Sequence, residues 1–395
     1  MLEIMIKKHN QEEIALVENG NLIEYYRGTE DSERREGNIY IGVVKDIIKG
    51  MQSAFVDIGT EKNSFIHLKD ILPKIDEKKE EFNDTITIEQ VIKPNQKIVV
   101  QVKKDSNEKK GARVSTHINL PSKYIVLMPQ TNIITISQKI ENEQEQKRLM
   151  QLVKEHLSEG NGAIIRTSAK GKTQEIVEDI TKLETKWKAI TEKAEKAQKT
   201  NQCGLLYQAE GIAEKMLIDL ADQKIERIIV DDKHEETRMK QFQSQNPELA
   251  KVKIEYQEKN ILDKYDLEKQ IEKRNNRKVW LKCGGFITID ATEALTAIDV
   301  NTGKYTGNKN LEQTVYKVNE EATIQIAKQL RLRDIGGIII IDYIDMKSTE
   351  NKEKIQTLLI EQLKEDRSKT QVEGFTKLDL MEMTRKHICS HNEED

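Results

Sequence analysis

The chain has 395 residues, 64 basic against 68 acidic, with a formal net charge of −4 and 36% hydrophobic residues. That length holds about two to four domains; the grouped apolar runs exclude a disordered chain, and the charge excludes a simple basic coat for nucleic acid while leaving room for a local basic groove. No window approaches the roughly 18 apolar residues of a membrane span, Met1 leads into a charged segment with no signal-peptide core, and Cys203, Cys283 and Cys389 are too few and too far apart for a disulfide framework, so a reducing cytoplasm is expected.

Residues 1–35 alternate short apolar runs with turn signals, and Asn19-Gly20 is a hairpin turn, so a small antiparallel unit is expected. A charge run at 30–36 separates it from short strands at 39–44, 53–58, 64–67 and 98–102, punctuated by Gly42, Gly50 and Gly59, the pattern of a small closed barrel. The charged stretch 76–84 reads as an exposed loop or helix inserted in that barrel. A third region from Leu120 holds strands at 125–128 and 163–166. It ends in a helix over 174–198, where Ile176, Val177, Ile180, Leu183, Trp187 and Ile190 recur at helical spacing. Residues 211–263 alternate helix and strand, with an apolar strand at 228–230. The C-terminal region predicts strands at 286–290 and 295–300, a helix over 312–333, a stop at Asp334-Ile335-Gly336-Gly337, an apolar strand at 338–341 buried at a sheet centre, and a helix over 352–365.

Three groups of residues could do chemistry. Asp299 and Asn301 share one side of their strand, and Asp342 ends the isoleucine run, where α/β folds place ligand chemistry. Two carboxylates and an amide oxygen suit Mg²⁺; the alternative is that each Asp caps a helix or pairs with Arg331 or Arg333. On the barrel, Ala54, Val56 and Ile58 should face inward and Phe55 outward, with Phe65 on the next strand and lysines at 103–104 and 109–110 adding local charge. Outward aromatics are stacking platforms for unpaired bases, although a phenylalanine pair can equally be core. The third group is Ile164-Ile165-Arg166-Thr167-Ser168, which either grips a terminal phosphate or is an ordinary polar strand end. His387 and His391 flank a lone Cys389 at the wrong spacing for structural zinc.

Ile298-Asp299-Val300-Asn301 and the run from Gln329 to Met346, with Arg331-Leu332-Arg333-Asp334-Ile335-Gly336-Gly337 and Asp342-Tyr343-Ile344-Asp345, closely resemble the catalytic core of the ribonuclease E/G family. Asn38 to Gly42, the segment from Gly42 to Ile66, and Glu382-Met383-Thr384-Arg385 also match. The resemblance implies a multidomain α/β architecture: a ribonuclease-H-like fold split between 1–35 and 212–275, an inserted S1 barrel of the OB type at 36–118, a 5′-sensor region at 119–211, and a DNase-I-like catalytic domain at 276–395. It implies Asp299 and Asp342 as Mg²⁺ ligands with Asn301 beside them as a third catalytic residue. Phe55, Phe65, Lys104 and Lys110 become RNA contacts, and Arg166, Thr167, Val126 and Ser122 a pocket for a 5′-monophosphate. The implied activity is an endoribonuclease cutting single-stranded RNA in ribosomal and transfer RNA maturation and messenger decay, leaving a 5′-phosphate and a 3′-hydroxyl. Its rivals are an RNA-binding protein without catalysis and a structural partner in an RNA-degrading assembly. Family members usually carry a Cys-Pro-x-Cys zinc link and a further small domain after the Glu-Met-Thr-Arg segment. Neither is found before Asp395, so the expectation is no zinc and a monomer or weak homodimer. Asp379 stands where the family usually has glycine.

Overall fold

Asn19 and Gly20 both take positive φ, 52° and 81°, as a primed hairpin turn requires, and join the antiparallel strands Glu13–Glu18 and Asn21–Arg27. Leu2–Lys7 pairs antiparallel with Glu13–Glu18 and parallel with Ile225–Val230, which pairs parallel with Lys253–Tyr256. The N-terminal hairpin therefore finishes its sheet with strands from far along the chain. One face of that sheet packs Ile4, Ile6 and Leu16 against Met216, Leu217 and Met239, and the other packs Met5, Val17 and Ile229 against Ile261, Leu262 and Leu267. Burial on both faces explains why four consecutive residues of Leu2–Lys7 are buried.

The computed structural model describes residues 1–9, 11–28, 35–71, 86–106, 110–200, 203–221, 223–258, 261–303 and 311–389. The charged stretch at 76–84 and residues 30–34 of the first charge run lie outside them. The chain forms two units, one of Met1–Ser32 with Ile212–His391 and the other built from Glu33–Gly211.

In the second unit, Ile39–Ile48, Ser53–Asp57, Ser64–His67, Arg113–Ser115 and Lys97–Lys104 pair in that order, and the last pairs back to the first. The result is the expected closed five-stranded barrel, filled by Val44, Ala54, Val56, Ile58, Ile66 and Val100. Gly42 is required by close approach: a Cβ there would lie 2.6 Å from Val56. The rest of the unit is a sheet ordered Ile134–Ile136, Asn161–Ile165, Ile125–Pro129, Leu120–Pro121, with helices Glu143–His156 and Gln174–Lys199. The long helix buries Ile176, Ile180, Leu183 and Ile190 with Leu127 and Ile165.

The first unit also holds a six-stranded sheet ordered Lys278–Trp280, Phe286–Ala291, Thr296–Asn301, Gly337–Asp342, Leu380–Arg385, Thr370–Phe375. Thr296–Asn301 and Gly337–Asp342 are parallel, joined through the helix Leu311–Arg333. That helix and Thr349–Leu363 bury Ile287, Ile298, Val300, Ile339, Ile341 and Met381. The isoleucine run is not, as expected, buried throughout. Ile339 and Ile341 are fully buried, but Ile338 is 52% exposed and Ile340 half-buried. The strand pleat sends alternate residues to opposite faces, and these helices cover only one of them.

Candidate active site and RNA-binding surfaces

The parallel register sets Asp299 directly beside Asp342, near the carboxyl ends of neighbouring strands. Lys278, Thr288, Asp299, Asp342 and Leu380 follow one another across five strands, which places them in one row on the uncovered face. Asn301, two residues on and therefore on the same face, donates its amide hydrogen to the Asp299 carboxylate, and the Thr288 hydroxyl lies 3.5 Å from the same oxygen. Partial burial, then the charges of Asp299 and Asp345, raise the Asp342 carboxyl above its ordinary range. Neither carboxylate is held by the arginines of the alternative reading. Arg331 pairs with Glu365 at 3.2 Å, and Arg333 donates to Gln329 and to the Asn276 carbonyl.

The donor set fits a hard divalent cation. Two carboxylates set side by side repel each other, one is oriented by an amide, and Mg²⁺ needs only one or two protein carboxylates. Among the described residues no cluster of three or more His, Cys, Asp or Glu is arranged to hold a metal. Asp345 and Thr288 had no separate signal in the sequence; one acts through its charge and the other through cross-strand register.

On the barrel, Ala54 and Val56 are fully buried while Phe55 and Phe65 face outward, half-buried, directly opposite each other with ring centroids 6.3 Å apart. Phe65 is in register with Arg113, and Arg113 with Lys104. One row on the barrel surface therefore reads Phe55, Phe65, Arg113, Lys104. Arg113, which the sequence reading missed, is gripped by Asp70 at 2.9 Å, while Lys104 and Lys110 are exposed.

The third group also assembles. Val126 is in register with Ile164, and the backbone amide of Arg166 donates to the Tyr124 carbonyl. An Arg166 Nη donates to the Ser122 carbonyl at 2.6 Å. The Ser122 hydroxyl donates to buried Asp179, which also accepts from the amides of Tyr124 and Ile125. Thr167 is exposed with its hydroxyl 2.9 Å from that of Ser137, a further residue that only the folded sheet brings near.

A side-by-side carboxylate pair on an open sheet face and an aromatic–cation row on a small barrel are arrangements that suit the chemistry of a nucleic-acid-processing enzyme. Comparison with known proteins agrees: the Ribonuclease E/G family model matches residues 119–388. Ribonuclease G of Escherichia coli K12 is 40% identical over 380 residues, covering 94% of this chain and 77% of its own length. Ribonuclease G of Haemophilus influenzae is 39% identical over 95% of this chain and 77% of its own, and Ribonuclease E of Nostoc is 35% identical over 89% and 51%. The chain belongs to the ribonuclease E/G family. The enzyme class that goes with that membership, an endoribonuclease, is the one the sequence reading expected.

Proposed function

We propose that this chain is a Mg²⁺-dependent, cytoplasmic endoribonuclease that cuts single-stranded RNA, favours 5′-monophosphorylated ends, and serves ribosomal and transfer RNA maturation and messenger turnover. The observation that carries this reading is the side-by-side register of Asp299 and Asp342 on an open sheet face. Mg²⁺ held there would supply an activated water and a polarised phosphate, giving a 5′-phosphate and a 3′-hydroxyl. Asn301 orients the Asp299 carboxylate. Phe55 and Phe65 stack unpaired bases, and Lys104 and Lys110 attract the backbone. Arg166 and Thr167 grip the terminal phosphate, with Val126 lining the pocket and Ser122 steadying the guanidinium through its carbonyl. In this reading the split five-stranded sheet is the ribonuclease-H-like part, residues 119–211 are the 5′ sensor, and the six-stranded sheet is the DNase-I-like catalytic part.

The test is cleavage of one RNA bearing a 5′-monophosphate, a 5′-triphosphate or a 5′-hydroxyl, with and without Mg²⁺. Cleavage should require the metal and run fastest on the monophosphate. Asp299→Asn or Asp342→Asn should abolish it while RNA binding persists, because losing one carboxylate weakens the ion and misplaces its water. Wild-type turnover by either variant at saturating Mg²⁺ would remove the metal assignment.

A further inference from the structure

The uncovered face of the six-stranded sheet carries a feature that the acidic pair does not use. Trp280 ends the edge strand Lys278–Trp280 and is 61% exposed, although the chain has only two tryptophans. Its indole meets Phe286 edge to face, with centroids 5.4 Å apart at 65°. Lys278 Nζ lies 4.0 Å from the Trp280 centroid and 3.5 Å from that of Phe286. Trp280 is in register with Phe286, and Phe286 with Asn301. The aromatic pair therefore shares the row of Asn301 and adjoins the row of Asp299 and Asp342.

An indole this exposed adds little to the core, and burying it would be favourable, so packing does not account for its place. Strand spacing puts Trp280 about 10 Å from Asn301 across the sheet, within reach of a nucleotide flanking a phosphate held at the carboxylates. A flat apolar ring beside a lysine matches an unpaired nucleotide, with a base to stack and a phosphate to attract. We propose that Trp280, supported by Phe286 and Lys278, is a stacking subsite for an unpaired RNA base close to the scissile phosphate. The inference rests on the reading of Asp299 and Asp342 as the cleavage site. Stacking on an indole tolerates every base, so the subsite selects single-stranded over paired RNA rather than a sequence.

The probe is a 5′-monophosphorylated single-stranded oligoribonucleotide with one cleavage site, together with a set in which each base near that site is replaced in turn by an abasic residue. In a Trp187→Phe chain, Trp280 is the sole fluorophore of its kind; RNA added without metal should quench it, and one abasic position should prevent the quenching. Trp280→Ala should weaken binding by about fivefold to a hundredfold, the range of one base–aromatic stack. Trp280→Phe should keep most of the affinity, and melting temperatures should match wild type. The abasic position that harms the wild type should make little further difference to Trp280→Ala. If the RNA binds and is cut in an Asp299-dependent way, but Trp280 is not quenched and Trp280→Ala shows the wild-type abasic profile, the subsite is refuted and the nuclease reading stands. If RNA quenches Trp280 but is never cut with Mg²⁺, the stacking surface stands and the nuclease reading falls.

Discussion

Phe55 shows how much one residue's orientation decides. Its neighbours Ala54 and Val56 fill the barrel, so strand alternation alone turns the ring outward beside Phe65. Phe55→Ala or Phe65→Ala should weaken single-stranded RNA binding by about 1–3 kcal/mol each, read by titration at fixed salt. A drop in melting temperature with unchanged binding would return the pair to the core. Arg166 is tested by selectivity instead. A charge-assisted contact is worth about 1.5–3 kcal/mol, so Arg166→Ala should slow cleavage of 5′-monophosphorylated RNA about ten- to a hundredfold and leave 5′-hydroxyl RNA nearly unchanged. Equal slowing of both would mean that the bond to the Ser122 carbonyl merely holds the strand end.

At the scale of elements, the helix Gln174–Lys199 does more than cover its sheet. It delivers Asp179 beneath the loop that carries Ser122. Burial raises the Asp179 carboxyl, outweighing the hydrogen bonds from Ser122, Tyr124 and Ile125 that would lower it. Between the ordinary aspartate range and that raised value, the folded chain holds a proton that the unfolded chain has released. Stability from this group is therefore highest in acid and falls as pH rises through that window. Asn at this position cannot titrate, so the stability of Asp179→Asn relative to wild type should improve as pH rises from the ordinary aspartate range through the raised one, as followed by urea unfolding. A relative loss over that range would show that the hydrogen bonds, not burial, dominate. Asp379 is another element-level compromise. The turn between Thr370–Phe375 and Leu380–Arg385 gives it a φ of 61°, a conformation that glycine takes freely and aspartate tolerates, and its carboxylate pairs with Lys352 at 2.6 Å.

For the molecule as a whole, the sheet unit is locked by charges that water does not reach. Arg385 is fully buried between Asp334 at 2.8 Å and Asp366 at 2.8 Å. Asp334 also accepts from the amides of Ile388 and Cys389, pinning the end of the described chain to the stop of the helix Leu311–Arg333. Within the same unit, Arg367 joins Glu24 of the N-terminal hairpin to Asp219. Arg385→Ala would leave two buried carboxylates without their cation, a loss of about 3–5 kcal/mol, measurable as a lowered urea midpoint. A loss under about 1 kcal/mol, the worth of a surface ion pair, would contradict the burial of this triad.

Local chemistry was enough to read much of this protein from its residues. Asn19-Gly20 demanded a primed turn, alternation turned Phe55 outward, and a carboxylate closing the isoleucine run marked Asp342. These signals lie within a few neighbours of one another. The pairing of Asp299 with Asp342 is different, because it depends on a parallel register across the whole helix Leu311–Arg333. An isoleucine run reads the same whether one face or both are covered, so the exposure of Ile338 and the open face around the acidic pair became visible only in the fold. Arg113, Ser137 and Asp179 were illegible for the same reason. Each matters through a partner distant in sequence, and only tertiary packing decides which distant residues become neighbours.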